Sequence, residues 1–302
     1  MENRALTLLT SRPHFSALET FRKGRAFLHG VPNPDVEAKV LLLLATGMSE
    51  AEFLASPERE LRREEARRFW KTVDERLAGM PLAYITGKKE FWSRIFRVGP
   101  GVFIPRPESE LIVEKALEIA TGGEETIVDI GTGSGNLAVA LAAELPGARV
   151  IATDISARAL KIARKNAASN GQDRIEFAAG SGFSPLRSLG LEGACDLIVS
   201  NPPYVSESDW EGLAPEVKSH EPKRALVGGR TGLEFIRRLV RGAPAFLRPG
   251  GHLIIEIGEG QVDAGLSLFD DRWTRPCVAA DLRGIPRVVI AAKAGLSRPK
   301  SP

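Results

Sequence analysis

The sequence predicts an α/β protein: a doubly wound, mostly parallel sheet preceded by a small all-helical domain. Three observations carry this. From about residue 108, apolar strand-like runs alternate with amphipathic stretches, the pattern of a parallel sheet with crossover helices. Residues 1–85 show helical periodicity. Between them, "TGKKEFWSRIFRVGPGVFIPRP" at 86–107 mixes aromatic and β-branched residues with Gly and Pro, as short strands or a hairpin do. The expected division is a helical domain over 1–85, a linker or hairpin over 86–107, and a sheet domain over 108–302.

In the helical part, Val36, Val40, Leu43 and Leu44 of "PDVEAKVLLLLATGM" fall at helical spacing. Ala66, Phe69, Trp70, Val73 and Leu77 do the same in the next helix, which Gly79 stops. The alternating charges of "RELRREEARRFWK" read as a solvated helix face. In the sheet domain, a helix over 108–120 precedes the strand "TIVDIG". A helix over 136–144, the strand "RVIATDI", a helix over 156–169 and the strand "RIEFAA" follow. After "CDLIVS" comes a long irregular stretch, then a helix over 232–247, the strand "HLIIEIG", a helical piece near 260–269 and the strand "RVVIAA". Ligands of such sheets bind beyond the carboxyl ends of the central strands. That selects the loops at 130–136, 154–156, 180–184 and 201–204.

Composition narrows the function classes. The 302 residues are 43% apolar and 26% charged, and 41 basic residues face 38 acidic ones, for a net charge of +3. This is not the balance of a protein that coats nucleic acid. The two cysteines, Cys195 and Cys277, have no paired spacing, so neither a disulfide framework nor a zinc site is expected, and a reducing cytoplasm fits. No apolar run approaches the roughly 18 residues of a membrane span. The start, "MENRALTLLTSRPHF", has no signal-like apolar stretch.

"IVDIGTGSGNLAVALAAEL" is a strand, a glycine turn and a helix. Gly131, Gly133 and Gly135 let the backbone approach a ligand closely. A dinucleotide fingerprint needs glycine at its first, third and sixth positions, but the sixth here is Asn136. No phosphate-loop lysine follows. Asp129, two residues before Gly131, would oppose a pyrophosphate and suit a cation. S-adenosylmethionine, with its sulfonium and ammonium groups, is such a ligand, and Gly131, Thr132, Gly133, Ser134 and Gly135 are its candidate cradle. The other reading is a turn that only packs helix on strand. Asp154, ending the next strand, can accept two ribose hydroxyls or cap the helix over 156–169. In Gly180-Ser181-Gly182-Phe183, Phe183 is a candidate for stacking on adenine or for the core.

"VSNPPYV" ends the fourth strand. Proline offers a carbonyl and no N–H, so Asn201-Pro202-Pro203-Tyr204 presents the Asn201 side-chain oxygen and the Pro202 carbonyl as two convergent acceptors. Their complement is an NH₂ group. A conjugated NH₂, as in an amide or adenine, is a poor nucleophile. Two acceptors that hold both hydrogens favour a pyramidal nitrogen with its lone pair aimed at the sulfonium methyl. Tyr204 can cover the flat face of the substrate group. The plain alternative is a rigid loop stop.

These motifs resemble the release-factor glutamine methyltransferases (HemK/PrmC proteins). The resemblance covers nearly the whole chain: "PLAYITGKKEFW" at 81–92, "VGPGVFIPRPESELIVE" at 98–114, "DIGTGSG" at 129–135, "SNPPYV" at 200–205, "HEPKRALVGG" at 220–229 and "DLRGIPRVVI" at 281–290. It implies a Rossmann-like class I methyltransferase with a seven-stranded, mostly parallel sheet. It also implies methyl transfer from S-adenosylmethionine to the glutamine side-chain amide of the Gly-Gly-Gln motif in class 1 peptide chain release factors, leaving S-adenosylhomocysteine. By match, the glycine loop and Asp154 bind the donor, and Asn201 to Tyr204 hold the glutamine amide; Asp129, Gly182, Phe183 and Asn201 are further candidate donor contacts. Phe103, Pro105, Arg106 and Pro107 wall the pocket, with Arg106 fixing that wall or the substrate backbone, or making a plain salt bridge. The N-terminal helices are similar to the family's partner-recognition domain. Ser181 and Gly182 depart from the family's usual acidic and bulky residues. A monomer is expected, with no metal, no membrane contact and no direct nucleic-acid partner. Two other functions fit parts of the pattern: adenine-N6 methylation of DNA or RNA, and a non-catalytic module that binds translation factors.

Overall fold

Reciprocal caps start two of the N-terminal helices. In α1 (Ala17–Phe27), the Ser16 hydroxyl accepts the Glu19 N–H while the Glu19 carboxylate accepts the Ser16 N–H. Ser49 and Glu52 repeat the arrangement at α3 (Glu50–Ala55). Between them α2 (Pro34–Thr46) opens on proline and closes on Gly47 at φ 73°. Helices α4 (Arg63–Leu77) and α5 (Leu82–Thr86) follow. The computed structural model describes residues 15–295; the helical and signal-free readings of residues 1–14 lie outside them.

By its contacts the chain forms two units, Met1–Gly87 with Pro215–His220, and Lys88–Ala214 with Glu221–Pro302. The first buries Leu28, Leu41, Leu42, Phe69, Trp70 and Val73. Its helices lie where expected, but the buried face of α2 does not. Val36 is 54% exposed and Leu44 41%, whereas Ala38, Leu41, Leu42 and Ala45 are buried. Four consecutive leucines leave the phase of the stripe open, and packing against α1 and α4 decides it. Leu77, the last residue of α4, is also exposed. The charged run is also not a uniform solvated face: Glu65 is buried and takes hydrogen bonds from Arg59 and Arg62. Arg76, likewise buried, pairs with Glu37 at 2.5 Å and with Glu216 at 2.9 Å.

The second unit opens with a hairpin, β1 (Lys88–Phe91) and β2 (Arg94–Arg97). Trp92 and Ser93 make its two-residue turn at φ 50° and 53°, a geometry usually left to Gly or Asn. Here the Trp92 N–H is held by the Glu110 carboxylate at 2.8 Å. Helix α6 (Glu110–Ile119), strand β3 (Thr126–Ile130), helix α7 (Asn136–Glu144), strand β4 (Arg149–Asp154), helix α8 (Ala157–Ser169) and strand β5 (Glu176–Ala179) follow the expected order. After the short α9 (Ser184–Ser188) comes β6 (Cys195–Ser200).

The stretch expected to be irregular contains β7 (Val205–Ser206) and α10 (Glu207–Gly212), then α11 (Lys223–Leu226) and β8 (Val227–Gly229), with β7 and β8 paired. Helix α12 (Glu234–Gly242) is shorter than expected, because Pro244 lies in a 3-10 turn beyond it and cannot continue an α-helix. Strand β9 (Leu247–Glu256), helix α13 (Val262–Leu266), strand β10 (Cys277–Ala280) and strand β11 (Pro286–Ala292) complete the unit. Strand β10 had no sequence signal. It is a short edge strand with an exposed pattern, paired only to β11.

The seven strands run in the order β10-β11-β9-β6-β3-β4-β5. All pairs from β9 to β5 are parallel, and β11 alone runs against its neighbours. Alternate residues feed two cores. Ile127, Leu197, Val199 and Ile254 face one side with α6 and α7, and Val128, Ile130, Ile198 and Ile255 face the other with α12. The connection order reverses between β3 and β6, so their following loops lie side by side.

One buried side chain joins the hairpin to that region. Asn166 of α8 accepts the Arg97 N–H at 2.8 Å and donates to the carbonyls of Arg97 at 3.0 Å and Ser134 at 2.8 Å. Replacement by alanine leaves the buried Ser134 carbonyl and the half-buried N–H and carbonyl of Arg97 without their partner, so Asn166→Ala is expected to lower stability by roughly 2 kcal/mol. Urea unfolding checks this; a loss under about 0.5 kcal/mol would contradict the bridging role.

Candidate active site

The loop after β3 is shaped by its glycines. Gly131, Gly133 and Gly135 sit at φ 79°, 56° and 83°, where other residues are strained. The N–H groups of Gly131 and Thr132 both donate to the Thr153 carbonyl, at 2.8 and 2.9 Å. The three glycines differ in role. A Cβ on Gly131 would meet nothing within 4 Å, leaving its surface open, whereas one on Gly135 would meet Ala163 at 3.0 Å. Gly135 therefore does serve helix packing, the plainer reading of the motif.

Asp154 ends β4 and faces the loop. Its Oδ2 accepts the Gly133 N–H at 2.9 Å and its Oδ1 the Ser156 N–H at 2.7 Å. It does not cap α8; Ser156 does, by accepting the Ala159 N–H. Burial raises the Asp154 pKa against the pull of those backbone donors. Asp129 lies one layer lower and is not part of the cavity wall. Its Oδ2 accepts from the Thr132 hydroxyl at 2.6 Å, while Oδ1 has no partner at hydrogen-bond geometry. Burial pushes its carboxyl up to about 7, only partly offset by Thr132 and the Ala138 N–H.

The loop after β6 stands beside the glycine loop, and both line a cavity of about 490 Å³. Asn201, Pro202 and Pro203 are on its wall with Gly131, Thr132, Gly133, Ser134, Asp154 and Gly182. The Asn201 Nδ2 donates to the Ser109 hydroxyl at 2.7 Å. No described residue donates to its Oδ1 or to the Pro202 carbonyl. The loop is backed by glycines of the segment 227–232. A Cβ on Gly228 would lie 2.3 Å from the Pro203 carbonyl oxygen, and one on Gly232 would lie 2.1 Å from that of Tyr204. The Tyr204 carbonyl itself accepts from Gln261 at 2.8 Å.

Several expected contacts fall elsewhere. Tyr204 is absent from the cavity wall; its hydroxyl lies near the Glu256 carboxylate, and burial raises its pKa. The Phe183 ring stacks on Phe246, 5.0 Å away and 5° from parallel, with Gly242 against its edge. It is thus packed against the core and does not line the cavity. Phe103 lines the cavity, but Pro105, Arg106 and Pro107 do not. Pro105 is buried behind the wall, and Pro107 is exposed at the start of a 3-10 turn. Arg106 pairs with the buried Glu221 and lies over the Phe103 ring at 4.8 Å. Glu221 also accepts the Ile104 N–H at 3.1 Å, so this salt bridge fixes the wall.

Sequence reasoning missed Ile155, which is 59% exposed on the cavity wall, and Phe235, also on it. An apolar residue directly after Asp154 was the available signal. It missed Ser109, Glu221 and Glu256 because each acts through distant partners.

A switch-point cavity that joins a glycine loop without phosphate-binding features to an Asn-Pro-Pro-Tyr acceptor loop defines a class I methyltransferase. The PrmC N-terminal domain profile matches residues 19–87, and the methyltransferase small domain profile matches residues 99–217. The release factor glutamine methyltransferase of Moorella thermoacetica is 46% identical over 87% of this chain and 92% of its own. That of Koribacter versatilis is 41% identical with the same coverage. A methyltransferase of Pyrococcus furiosus shares the fold, with a TM-score of 0.51 at 20% identity over 74% of this chain and 98% of its own. The chain belongs to the release factor glutamine methyltransferase family.

The raised carboxyl of Asp129 makes stability fall with pH. Between its ordinary value of 3.8 and about 7, the folded chain binds more protons than the unfolded one. Stability is therefore lost as pH rises through that window. Asp129→Asn should be more stable than the parent at pH 8, by on the order of 4 kcal/mol at most, with a shallower slope between pH 4 and 7. Thermal unfolding across pH measures this, and an unchanged slope would refute it. Gly228→Ala should displace the Pro203 carbonyl and lower kcat by about tenfold or more, with donor affinity by calorimetry changed less than kcat; unaltered turnover would show that the close approach is not needed.

Proposed function

We infer that this chain transfers a methyl group from S-adenosylmethionine to the side-chain amide nitrogen of the glutamine in the Gly-Gly-Gln motif of class 1 peptide chain release factors. The observation that carries this is the Asn201 amide. Its NH₂ is committed to Ser109, which leaves Oδ1 and the Pro202 carbonyl as paired acceptors beside the glycine loop.

The donor fits the residues present. Asp154 stands on the cavity wall beside the loop and Asp129 is buried beneath it, and carboxyls so placed favour a cation over a phosphate. In this reading Asp154 accepts ribose hydroxyls, the backbone of Gly131 to Gly135 passes along the donor, and Ile155, Phe235 and Gly182, which share the cavity wall, enclose the adenine. When bound, S-adenosylmethionine supplies an electrophilic methyl on a cationic sulfur, which departs as the neutral thioether S-adenosylhomocysteine. Asn201 and Pro202 hold both hydrogens of the acceptor NH₂ and so orient its lone pair toward the methyl. The methylated nitrogen is acidic and releases its extra proton to water, so no strong base is required. Phe103, held by Arg106 and Glu221, walls the substrate side.

Adenine-N6 methylation would use the same acceptor pair. Family membership and the net charge of +3 favour a protein amide. The intact Asn201–Tyr204 loop favours catalysis over a purely binding role. We propose further that the helical domain over 1–85 recognises the release factor, and that the protein acts as a cytoplasmic monomer without nucleic acid.

Incubation with labelled donor and a release factor should label one glutamine; equal labelling after that glutamine is changed to alanine would sink the assignment. Asn201→Ala should lower kcat about 100-fold or more with donor binding little changed, and Asp154→Ala should mainly weaken donor binding. Calorimetry together with steady-state kinetics separates the two.

A further inference from the structure

Behind the acceptor loop lies a buried polar chain that methyl transfer does not itself call for. Ser109, at the start of α6, and Glu256, at the end of β9, are each 1% exposed. The Ser109 hydroxyl donates to Glu256 Oε2 at 2.6 Å, and Asn201 Nδ2 donates to Ser109 Oγ at 2.7 Å. The Tyr204 hydroxyl lies near the same carboxylate. These residues come from three parts of the sequence, 92 and 147 positions apart.

The direction of these bonds follows from counting protons. A serine hydroxyl has one proton and two lone pairs. With that proton given to Glu256, the Ser109 oxygen can only accept. It can then pair only with the NH₂ edge of Asn201, so the C=O edge faces the cavity. The two ends of an amide are nearly equal in size, so shape alone would not choose between them. The choice matters, because an amide turned the other way would set its NH₂ against the NH₂ of the substrate.

We propose that Glu256 and Ser109 are positioning residues that lock the Asn201 amide with its oxygen toward the acceptor nitrogen. This rests on the reading of Asn201 as a holder of the acceptor NH₂, and it adds how that holder is oriented. A protonated Glu256 could donate to Ser109, free the serine proton for the Asn201 oxygen and release the lock. Burial pushes Glu256 up to about 7; nearby Glu108 adds to this, while Ser109, Tyr204 and Arg287 oppose it. Turnover should then fall as pH drops through this range, and the fall should reach Asn201 through Ser109.

The experiment is kcat at saturating donor from pH 5.5 to 8.5, with labelled donor and a release factor, on full-length protein whose donor binding by calorimetry certifies the fold. The parent should lose activity below about pH 7. Ser109→Thr keeps the hydroxyl and should retain both turnover and this limb. Ser109→Ala should lower kcat about 10- to 100-fold, leave the donor KM within about twofold, and lose the limb. Glu256→Gln should give low turnover that does not vary with pH over this range; if it fails to fold, the serine pair still decides. Parent-like kcat in Ser109→Ala, an unchanged limb in it, or equal losses in the alanine and threonine variants would overturn the lock. Full turnover in Asn201→Ala would overturn the underlying reading as well, which distinguishes the two failures.

Discussion

The pairing of β3 with β6 is the constraint on which the site depends. Ile127, Val128 and Asp129 lie in register with Leu197, Ile198 and Val199. The buried Ser200 hydroxyl then ties the two strand ends together through the Ile130 carbonyl at 2.6 Å. Parallel strands in register end at the same level, so the glycine loop and the Asn-Pro-Pro-Tyr loop emerge as neighbours. Their proximity follows from topology, since the chain runs outward from β3 to β5 and returns on the other side with β6. In the proposed reading, a methyl donor on one loop and an acceptor nitrogen on the other are thereby brought to the one cavity that both loops line.

The acceptor loop is rigid from both sides. Prolines limit its own backbone, and Gly228 and Gly232 let other backbone press against it where a side chain would not fit. Gln261 holds the Tyr204 carbonyl, and Glu256 takes the Ser109 hydroxyl that in turn holds Asn201. Buried carboxyls come with this design. Asp129, Asp154 and Glu256 all have raised pKa values because burial disfavours their charge. Each would be cheaper as a neutral side chain for folding alone. Two of them attend the donor loop and one the acceptor loop, which locates the sacrifice of stability at the site of chemistry.

Much of the sheet domain was legible from the sequence because strand and helix periods differ and glycine punctuates them. The helix over 136–144 and the strand "CDLIVS" appear with the expected limits. Weak signals misled in physically clear ways. The leucine run of α2 has no polar residue to mark its exposed side, so helical spacing alone did not fix its buried face. Strand β10 is a short edge with little apolar alternation, and it exists because β11 offers it a partner. Phe183 carried aromatic chemistry at a suitable position, yet Phe246 and Gly242 claim its ring.

By itself the sequence determined the class of chemistry. Glycine spacing, the carboxylates at the strand ends and an acceptor-rich proline loop are local features, and their meaning depends on neighbours within a few residues. The tertiary structure decided which side chains reach the cavity and which hold others in place. Arg106, Glu221, Ser109, Glu256 and Asn166 act across separations of 69 to 147 residues, which no local pattern encodes. Hydrogen-bond direction belongs to the same category. Asn201 announces an amide in the sequence, but only Ser109 and Glu256, brought together by folding, determine which end of that amide faces the substrate.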